Sequence, residues 1–318
     1  MTRLVSFKIA LLCVLGLPGL LAQAAKSPAD DLYQQATASM QKQDFGQAEF
    51  LFREMRTAFP QDDRWGLGLF AALDRQNKLA DALKVAREIH PKSDRPGFYN
   101  QRIGVVLLRL DRAPEALTEF QTALRLTDST DLSEFINNMI GDAYLSMDRL
   151  DDALTAYRKA KELLGRASLP LAFALGVKGH DEEEIREYRA VLRDTPGQTM
   201  AMNNLAYALA ERDESLDEAL SLSLRAVAAV PGSSVMTDTL GWVYYKKRMF
   251  EDAETTMVDA LIQEGGTHPT LRKHLVAVLD ARAEWTPDRR ALRALLDTGS
   301  KPDEIARMKE LLRKVRVR

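Results

Sequence analysis

The sequence predicts an all-α fold, a solenoid of antiparallel helix pairs with about seven to eight units and a C-terminal helical cap. Three observations carry that prediction: alanines recur at a fixed period, small residues sit at a fixed distance before them, and the composition suits closely packed helices.

The alanines set the period. Ala48, Ala82 and Ala116 are spaced 34 residues apart, as are Ala219 and Ala253. The step from Ala116 to Ala153 is 37, and that from Ala153 to Ala219 is 66, which leaves room for one degenerate unit near residues 165–198. Bulky side chains follow four residues later at Phe52, Phe120, Tyr157 and Met257, while Ala86 and Ser223 take that place after Ala82 and Ala219. The physical reason is helix crossing: two antiparallel helices approach closely only where a small side chain lies at the contact. Gly104, Gly141 and Gly241 supply the small partner 12 residues before their alanines, and Ala206 does so 13 residues before Ala219. Leu107, Tyr144 and Tyr244 fill the space one turn on. Ala and Leu abound and aromatics are 7%, which fits helix packing better than a β-sandwich.

Leu240-Gly241-x-x-Tyr244 with Ala253, Met257 and Ala260 resembles the tetratricopeptide repeat consensus. So do Ile140-Gly141-x-x-Tyr144 with Ala153, Tyr157 and Ala160, and Ile103-Gly104 with Ala116, Phe120 and Ala123. Pro60, Pro196 and Pro231 fall where that family ends its second helix, and Pro91 falls slightly early. The resemblance implies a right-handed superhelix whose first helices line a concave surface that binds proteins. The sequence departs from the family in its Trp slot, which holds Asn100, Asn137, Met202 and Thr237. The unit near 165–198 has Glu184 in place of the crossing alanine and Pro170 in its first helix, so it is expected to be shortened, kinked or loosely packed.

Both ends differ from the repeat. Arg3 and Lys8 precede an apolar stretch from Ile9 to Leu21, and Ala22-Gln23-Ala24 completes a secretory signal with cleavage expected after Ala24. The alternative is an uncleaved N-terminus anchored in the inner membrane. Cys13, the single cysteine, lies in this segment without the small preceding residue that lipidation needs, so the mature chain is expected to lack disulfides. The expected organisation is a leader at 1–24, repeats over 25–285 and a cap with a basic tail over 286–318. Thr286-Pro287 reads as an N-cap followed by Pro at the first helical position, and Ile305, Met308, Leu311, Leu312 and Val315 recur at helical spacing. Capping the open end of the stack explains this tail. The sharper reading is weak contact of Arg313, Lys314, Arg316 and Arg318 with an acidic partner or an anionic membrane surface.

The charge balance, 44 basic against 46 acidic residues, argues against nucleic acid as a partner. The four histidines form no H-E-x-x-H zinc pattern, and no phosphate loop, G-x-S-x-G elbow or cysteine nucleophile is present. His180 and the acids Asp181 to Glu184 read as an acidic first turn that suits the helix dipole. No catalytic, metal or cofactor site is therefore expected, and the chain is not expected to be an enzyme.

The expected site is a binding groove. Helical spacing from the crossing glycines, with the family's first-helix rule, puts Phe135, Asn138, Asp142 and Leu145 on the inner face of the fourth unit. Asn203 and Tyr207 follow in the sixth, Asp238, Trp242 and Tyr245 in the seventh, and Lys273 in the eighth. Amides and carboxylates there would bond a peptide backbone, and aromatics would anchor it. Packing of Trp242 and Tyr245 as ordinary core is the competing reading. The lysine-asparagine clamp of eukaryotic chaperone-binding members is absent, since the corresponding positions hold Gln101, Asn138, Asp142, Tyr207 and Trp242. Asn203-Asn204-Leu205-Ala206-Tyr207 and Asp238-Thr239-Leu240-Gly241-Trp242 resemble exported bacterial envelope repeat proteins, associated with pilus or exopolysaccharide export and outer-membrane biogenesis. The resemblance implies a periplasmic or secreted scaffold for such an assembly. The alternative is an adaptor that regulates a peptidoglycan hydrolase or envelope protease, and a remote one is an enzyme with an unrecognised site.

Overall fold

The computed structural model describes residues 28–60, 62–89, 96–282, 284–299 and 301–316. The leader, its cleavage site, Cys13, His90, Pro91 and Arg318 lie outside the described residues. Among those described, there are seventeen α-helices and no strand. None of these helices is long and apolar enough to cross a membrane.

The chain divides into two compact bodies, one up to Ile89 and one from His90 onward. The first holds α1 (Pro28–Gln41), α2 (Phe45–Ala58), α3 (Asp63–Arg75) and α4 (Leu79–Ile89). Its core includes Ala48, Phe52, Trp65, Leu69 and Ala82. The edge of Tyr33 meets both Phe52 and Trp65, at 6.2 and 5.5 Å between ring centres.

The second body continues with α5 (Pro96–Arg109) and α6 (Ala113–Arg125), then α7 (Thr130–Ser146) and α8 (Leu150–Leu164). Next come α9 (Leu169–Lys178) and α10 (Asp181–Asp194), α11 (Thr199–Glu211) and α12 (Leu216–Ala229), and α13 (Ser234–Lys246) and α14 (Phe250–Gln263). It ends with α15 (Pro269–Arg282), α16 (Pro287–Thr298) and α17 (Pro302–Arg316). Within this body each pair packs on the next, and α11 also packs directly on α13, and α13 on α15.

One turn recurs inside each of the seven pairs. Gln43, Asn77, Asp111, Asp148, Gly179, Asp213 and Arg248 all have positive φ, between 54 and 78°. Asn, Asp and Gly tolerate this left-handed region best. The amide after each donates back across the helix end at 2.9–3.0 Å, for example Lys78 to the Leu73 carbonyl and Arg149 to that of Tyr144. This is the Schellman closure, which satisfies carbonyls that a helix end would leave bare. The crossing alanine follows five residues after the turn at Ala48, Ala82, Ala116, Ala153 and Ala253. In the sixth pair Ser215, also at positive φ, adds one residue, so Ala219 comes six after Asp213. The turn therefore sets the distance that the sequence shows as a period.

The glycines receive rings. A Cβ at Gly104 would meet Phe120 and one at Gly141 would meet Tyr157, in each case within 3.0 Å. At Gly241 the neighbour is the Met257 side chain. The alanine lets the helices close, and the bulky residue one turn later fills the space over the glycine. The substituted Trp slots are buried, with Asn100, Asn137, Met202 and Thr237 all 8% exposed or less. Asn137 and Thr237 satisfy their polar ends on the Ser133 and Ser233 carbonyls.

The fifth pair follows the same plan with changed parts. Gly179 makes its turn, and five residues later Glu184 stands in the alanine position, its carboxyl lying over Gly176. The expected shortening is present, since α9 has 10 residues. Pro170 lies in the first turn of α9, where no hydrogen bond is lost, so it starts the helix instead of kinking it. The pair is also well packed, with Leu171, Ala172, Leu175, Ile185, Tyr188 and Val191 buried. At the C-terminal end, Thr286 accepts from the Arg289 amide and Pro287 occupies the first turn of α16. Met308, Leu311, Leu312 and Val315 of α17 are buried in one cluster with Leu261 and Leu275.

The ring-on-glycine contact gives unequal consequences for the same substitution. Replacing a helical glycine by alanine gains about 1 kcal/mol of helix propensity. Overpacking costs about 1–3 kcal/mol where the neighbour cannot yield. Gly141→Ala, against the Tyr157 ring held by Asp142, is expected to lower the denaturation midpoint. Gly241→Ala, against the pliable Met257, is expected to leave it nearly unchanged. Urea unfolding of the two variants beside the parent checks this, and equal effects would contradict it.

Candidate functional site

The first helices of the fifth, sixth and seventh pairs, together with α15, line one cleft of about 660 Å³ in the second body. Phe173 and Val177 come from α9, Asn203, Tyr207 and Glu211 from α11, Val235 and Asp238 from α13, and Leu271 and His274 from α15. Asp181, Glu184 and Tyr188 of α10 complete one end, and His268 lies just before α15.

The floor is polar and buried. Asn203 is 4% exposed and Asp238 6%. The Asn203 amide donates to Asn204 at 3.2 Å, while its Oδ1 has no partner. Asp238 Oδ2 lies 2.8 Å from His274 Nδ1, and with the proton on that nitrogen the ring donates to the carboxylate. Asp238 Oδ1 has no partner, nor does His268 Nδ1. A buried polar atom left unpaired costs about 1–3 kcal/mol. Three such atoms on residues lining one cleft mark a place kept polar against the demands of stability.

Aromatic rings stack behind the cleft. Trp242 stacks on His274 with 4.3 Å between ring centres and on Tyr245 with 4.8 Å. Its indole N–H donates to Glu211 Oε1 at 2.5 Å, which ties α13 to α11. Tyr207 lies 6.3 Å from the other neighbour of this stack, His274. Trp242 is partly buried and packs against the core clusters on both sides of α13. It thus serves the core and braces the cleft together. The Tyr207 hydroxyl is held above its usual range by burial, and then by Glu211 and Asp238.

Among the charged groups that line the cleft, Glu184 is the one most altered by its place. Burial, and then the neighbouring Asp181 carboxylate, push its carboxyl up to about 7, with Arg212 opposing. Arg212 is itself held by Asp181 at 2.6 Å and Glu214 at 3.0 Å. Tyr188, whose hydroxyl accepts from Asn204 at 3.1 Å, is raised mainly by burial.

The structure brings together some of the residues expected at the groove and separates others. Asn203, Tyr207 and Asp238 share the cleft, with Trp242 and Tyr245 stacked behind it. Asn138 and Asp142 lie on α7 and do not line it. Asn138 donates to Glu134, and Asp142 accepts from the Tyr157 hydroxyl, so Asp142 supports the ring seated on Gly141. Burial raises the Asp142 carboxyl, with that hydrogen bond opposing.

Lys273 is displaced from its expected place. It is exposed outside the cleft lining, and His274 points in instead. The connection 264–268 has one residue more than its counterpart 230–233, with Gly265 and Gly266 both at positive φ. The longer connection is offset by the shorter turn before α14, so Asn203, Asp238 and Lys273 each stand fifth in their helices. Spacing therefore points to Lys273, and it is the contact with Asp238 that shows His274, the sixth, on the cleft side. Of the basic tail, Arg316 pairs with Asp259 at 2.6 Å and Lys314 with Glu310 at 2.6 Å, while Arg313 is exposed. Among the described residues, no group of three or more His, Cys, Asp or Glu side chains is arranged to hold a metal ion.

Comparison with known proteins identifies the kind of repeat. Tetratricopeptide repeat family models match residues 136–163 and 185–234. A TPR repeat-containing protein of Pseudomonas aeruginosa is 34% identical over 76 residues, which are 24% of this chain and 13% of that relative. The match thus spans a small part of the relative's length. A tetratricopeptide repeat protein of Parabacteroides merdae superposes with a TM-score of 0.60 at 14% identity, covering 79% of this chain and 98% of the other. PilW, a type IV pilus biogenesis factor, gives 0.57 at 14%, covering 67% and 98%. PilF of Pseudomonas aeruginosa gives 0.55 at 18%, covering 65% and 94%. At such identities the likeness concerns fold. The chain is an all-α solenoid that contains tetratricopeptide repeats.

The raised Glu184 carboxyl predicts a pH dependence. Its folded pKa of about 7 exceeds the ordinary 4.5, so between those values the folded state holds more protons than the unfolded one. Stability therefore falls as pH rises from about 4.5, and the loss is complete above about 7. Glu184→Gln is expected to remove this slope and to raise stability at pH 8 by about 1–2 kcal/mol, after discounting for screening at its partly exposed site. Denaturation midpoints of both proteins across that window check it, and parallel profiles would contradict it.

Proposed function

We propose that this chain is an exported scaffold that holds a segment of a partner protein in the cleft between α9 and α15. The observation that carries the reading is the cleft's floor, where Asn203 and Asp238 are buried and each leaves an oxygen unpaired. A peptide that adds donors there regains what the unbound fold gives up. Exposed Phe173, Val177 and Val235 at the rim supply apolar contact area beside these polar groups. The tetratricopeptide fold supports binding over catalysis, because its extended stack of helices offers surface for a partner.

The leader-like segment from Arg3 to Ala24 supports export to the periplasm or beyond, with a mature chain that starts at Ala25. Structural likeness to PilW, a type IV pilus biogenesis factor, makes pilus assembly the first envelope system to test. Exopolysaccharide export and outer-membrane biogenesis remain in the same class of role.

Crosslinking the tagged chain in the cell envelope and identifying what co-purifies tests the reading. Assembly or secretion proteins are expected among the captured partners; a peptidoglycan hydrolase or protease in their place would assign the chain to the adaptor role. The Asn203→Ala, Trp242→Ala double variant is expected to lose the captured partner with its helical content retained by circular dichroism. Capture undiminished in the folded double variant would contradict the cleft as the binding site.

A further inference from the structure

The cleft has a chemical preference that its shape alone does not reveal. Its floor holds acceptors that are closed to solvent in the unbound fold, so a ligand reaches them as the lining side chains give way. Asp238 Oδ1 is an acceptor under any assignment, and Asn203 Oδ1 is the second. Turning the Asn203 amide over would exchange its free oxygen for a free N–H, but would leave the carboxylate oxygen of Asp238 unpaired. A ligand that satisfies this floor must bring hydrogen-bond donors.

The charge around the floor has one sign in excess. Asp181, Glu211 and Asp238 line the cleft, and Glu184 adds its charge only above about pH 7. Arg212 is the one lysine or arginine among the lining residues, and Asp181 and Glu214 already hold it. A carboxylate or phosphate placed here would meet acceptors and like charge together, which costs more than it returns. A cation meets the reverse. The Tyr207 ring beside the floor adds a face over which a guanidinium or ammonium group is attracted.

The rim is apolar on both sides of this acidic floor. Phe173 is 48% exposed, Val177 49% and Val235 53%. Phe173 and Val177 are one turn apart on α9, so they present a single patch, and Val235 stands on α13. Large apolar side chains flanking a buried carboxylate match a ligand with a charged centre and apolar neighbours.

From this, and resting on the scaffold reading above, we infer that the cleft selects a partner segment by a basic side chain, arginine or lysine, set on Asp238 and Asn203 with apolar residues on either side. The cation replaces its lost water with charge-assisted bonds to Asp238, and Arg, with its planar fork, is preferred over Lys because two acceptors are present. Glu211, exposed at the rim and tied to Trp242, adds attraction from outside the floor.

A phage library of random dodecapeptides selected on the purified full chain tests the inference. Enriched sequences are expected to share one Arg or Lys between apolar residues. For the leading peptide, exchange of that Arg for citrulline keeps the shape and removes the charge, and is expected to weaken binding about tenfold. Asp238→Asn is expected to weaken the Arg peptide by about the same factor, and to make citrulline and Arg peptides bind alike. Glu211→Gln, at an exposed position that tolerates change, is expected to weaken the Arg peptide about twofold to fivefold. Enriched peptides that lack a basic residue, yet lose binding in the Asn203→Ala, Trp242→Ala variant, would overturn the inference and leave the scaffold reading standing. Equal binding of citrulline and Arg peptides to the parent would do the same. Failure to enrich any peptide that depends on the cleft would overturn the scaffold reading along with it.

Discussion

The seating of a side chain on a glycine, at a fixed distance past a left-handed turn, is the contact on which the rest of this molecule depends. The turn at Asp148 closes α7 with a Schellman bond, Ala153 then lets α8 approach, and the Tyr157 ring lies on Gly141. None of these features works alone. A turn one residue longer would rotate Tyr157 away from Gly141, and a larger residue at Gly141 would hold the helices apart. The sixth pair shows the constraint being met by other means: Ser215 adds a residue to the turn, and Ala219 still reaches the crossing. The fifth pair meets it with a carboxyl, because Gly176 leaves room for the Glu184 side chain where the other pairs bury a methyl group.

That exchange links the fold to the site. Glu184 is less suited to a crossing than alanine, since burial penalises its charged form and holds its proton to about pH 7. It lines the same cleft as Asn203 and Asp238, which also leave polar groups buried without partners. Departures from the most stable packing gather on one stretch of the second body, from α9 to α15. Outside it Trp65 Nε1 and Asn138 Oδ1 are also buried without partners, but the buried carboxylates are paired: Asp142 holds Tyr157, and Glu254 is bound by Arg282 at 2.6 Å and Arg289 at 2.8 Å. Local frustration gathered on several residues of one lined cleft is the physical mark of a surface shaped for a ligand.

Much of the fold was legible in the sequence because the crossing needs small residues, and small residues at a steady period are visible. The turn was partly legible, since Asn77, Asp111, Asp148 and Asp213 favour the left-handed region, but Gln43 and Arg248 occupy it by context. Asn203, Tyr207 and Asp238 were found because they lie on the same helix face in successive pairs, counted from Ala206 and Gly241. His274 was missed because Lys273, not His274, stands at the same place in its helix as Asn203 and Asp238, and which of two neighbours faces the cleft is set by how α15 packs. Asn138 and Asp142 satisfied the spacing rule and still turned to local partners, Glu134 and Tyr157, because spacing fixes a helix face and not what the side chain bonds. The pairing of Glu184 with Gly176 was not visible, since it depends on two helices meeting in space.

The central claim is that first helices of successive pairs form the binding surface. Hydrogen exchange read by mass spectrometry, on the purified chain with and without its captured partner, tests this most directly. Protection on binding is expected in α9, α11, α13 and α15, with α12 and α14 unchanged. Protection confined to α12 and α14, or to α17, would contradict the account.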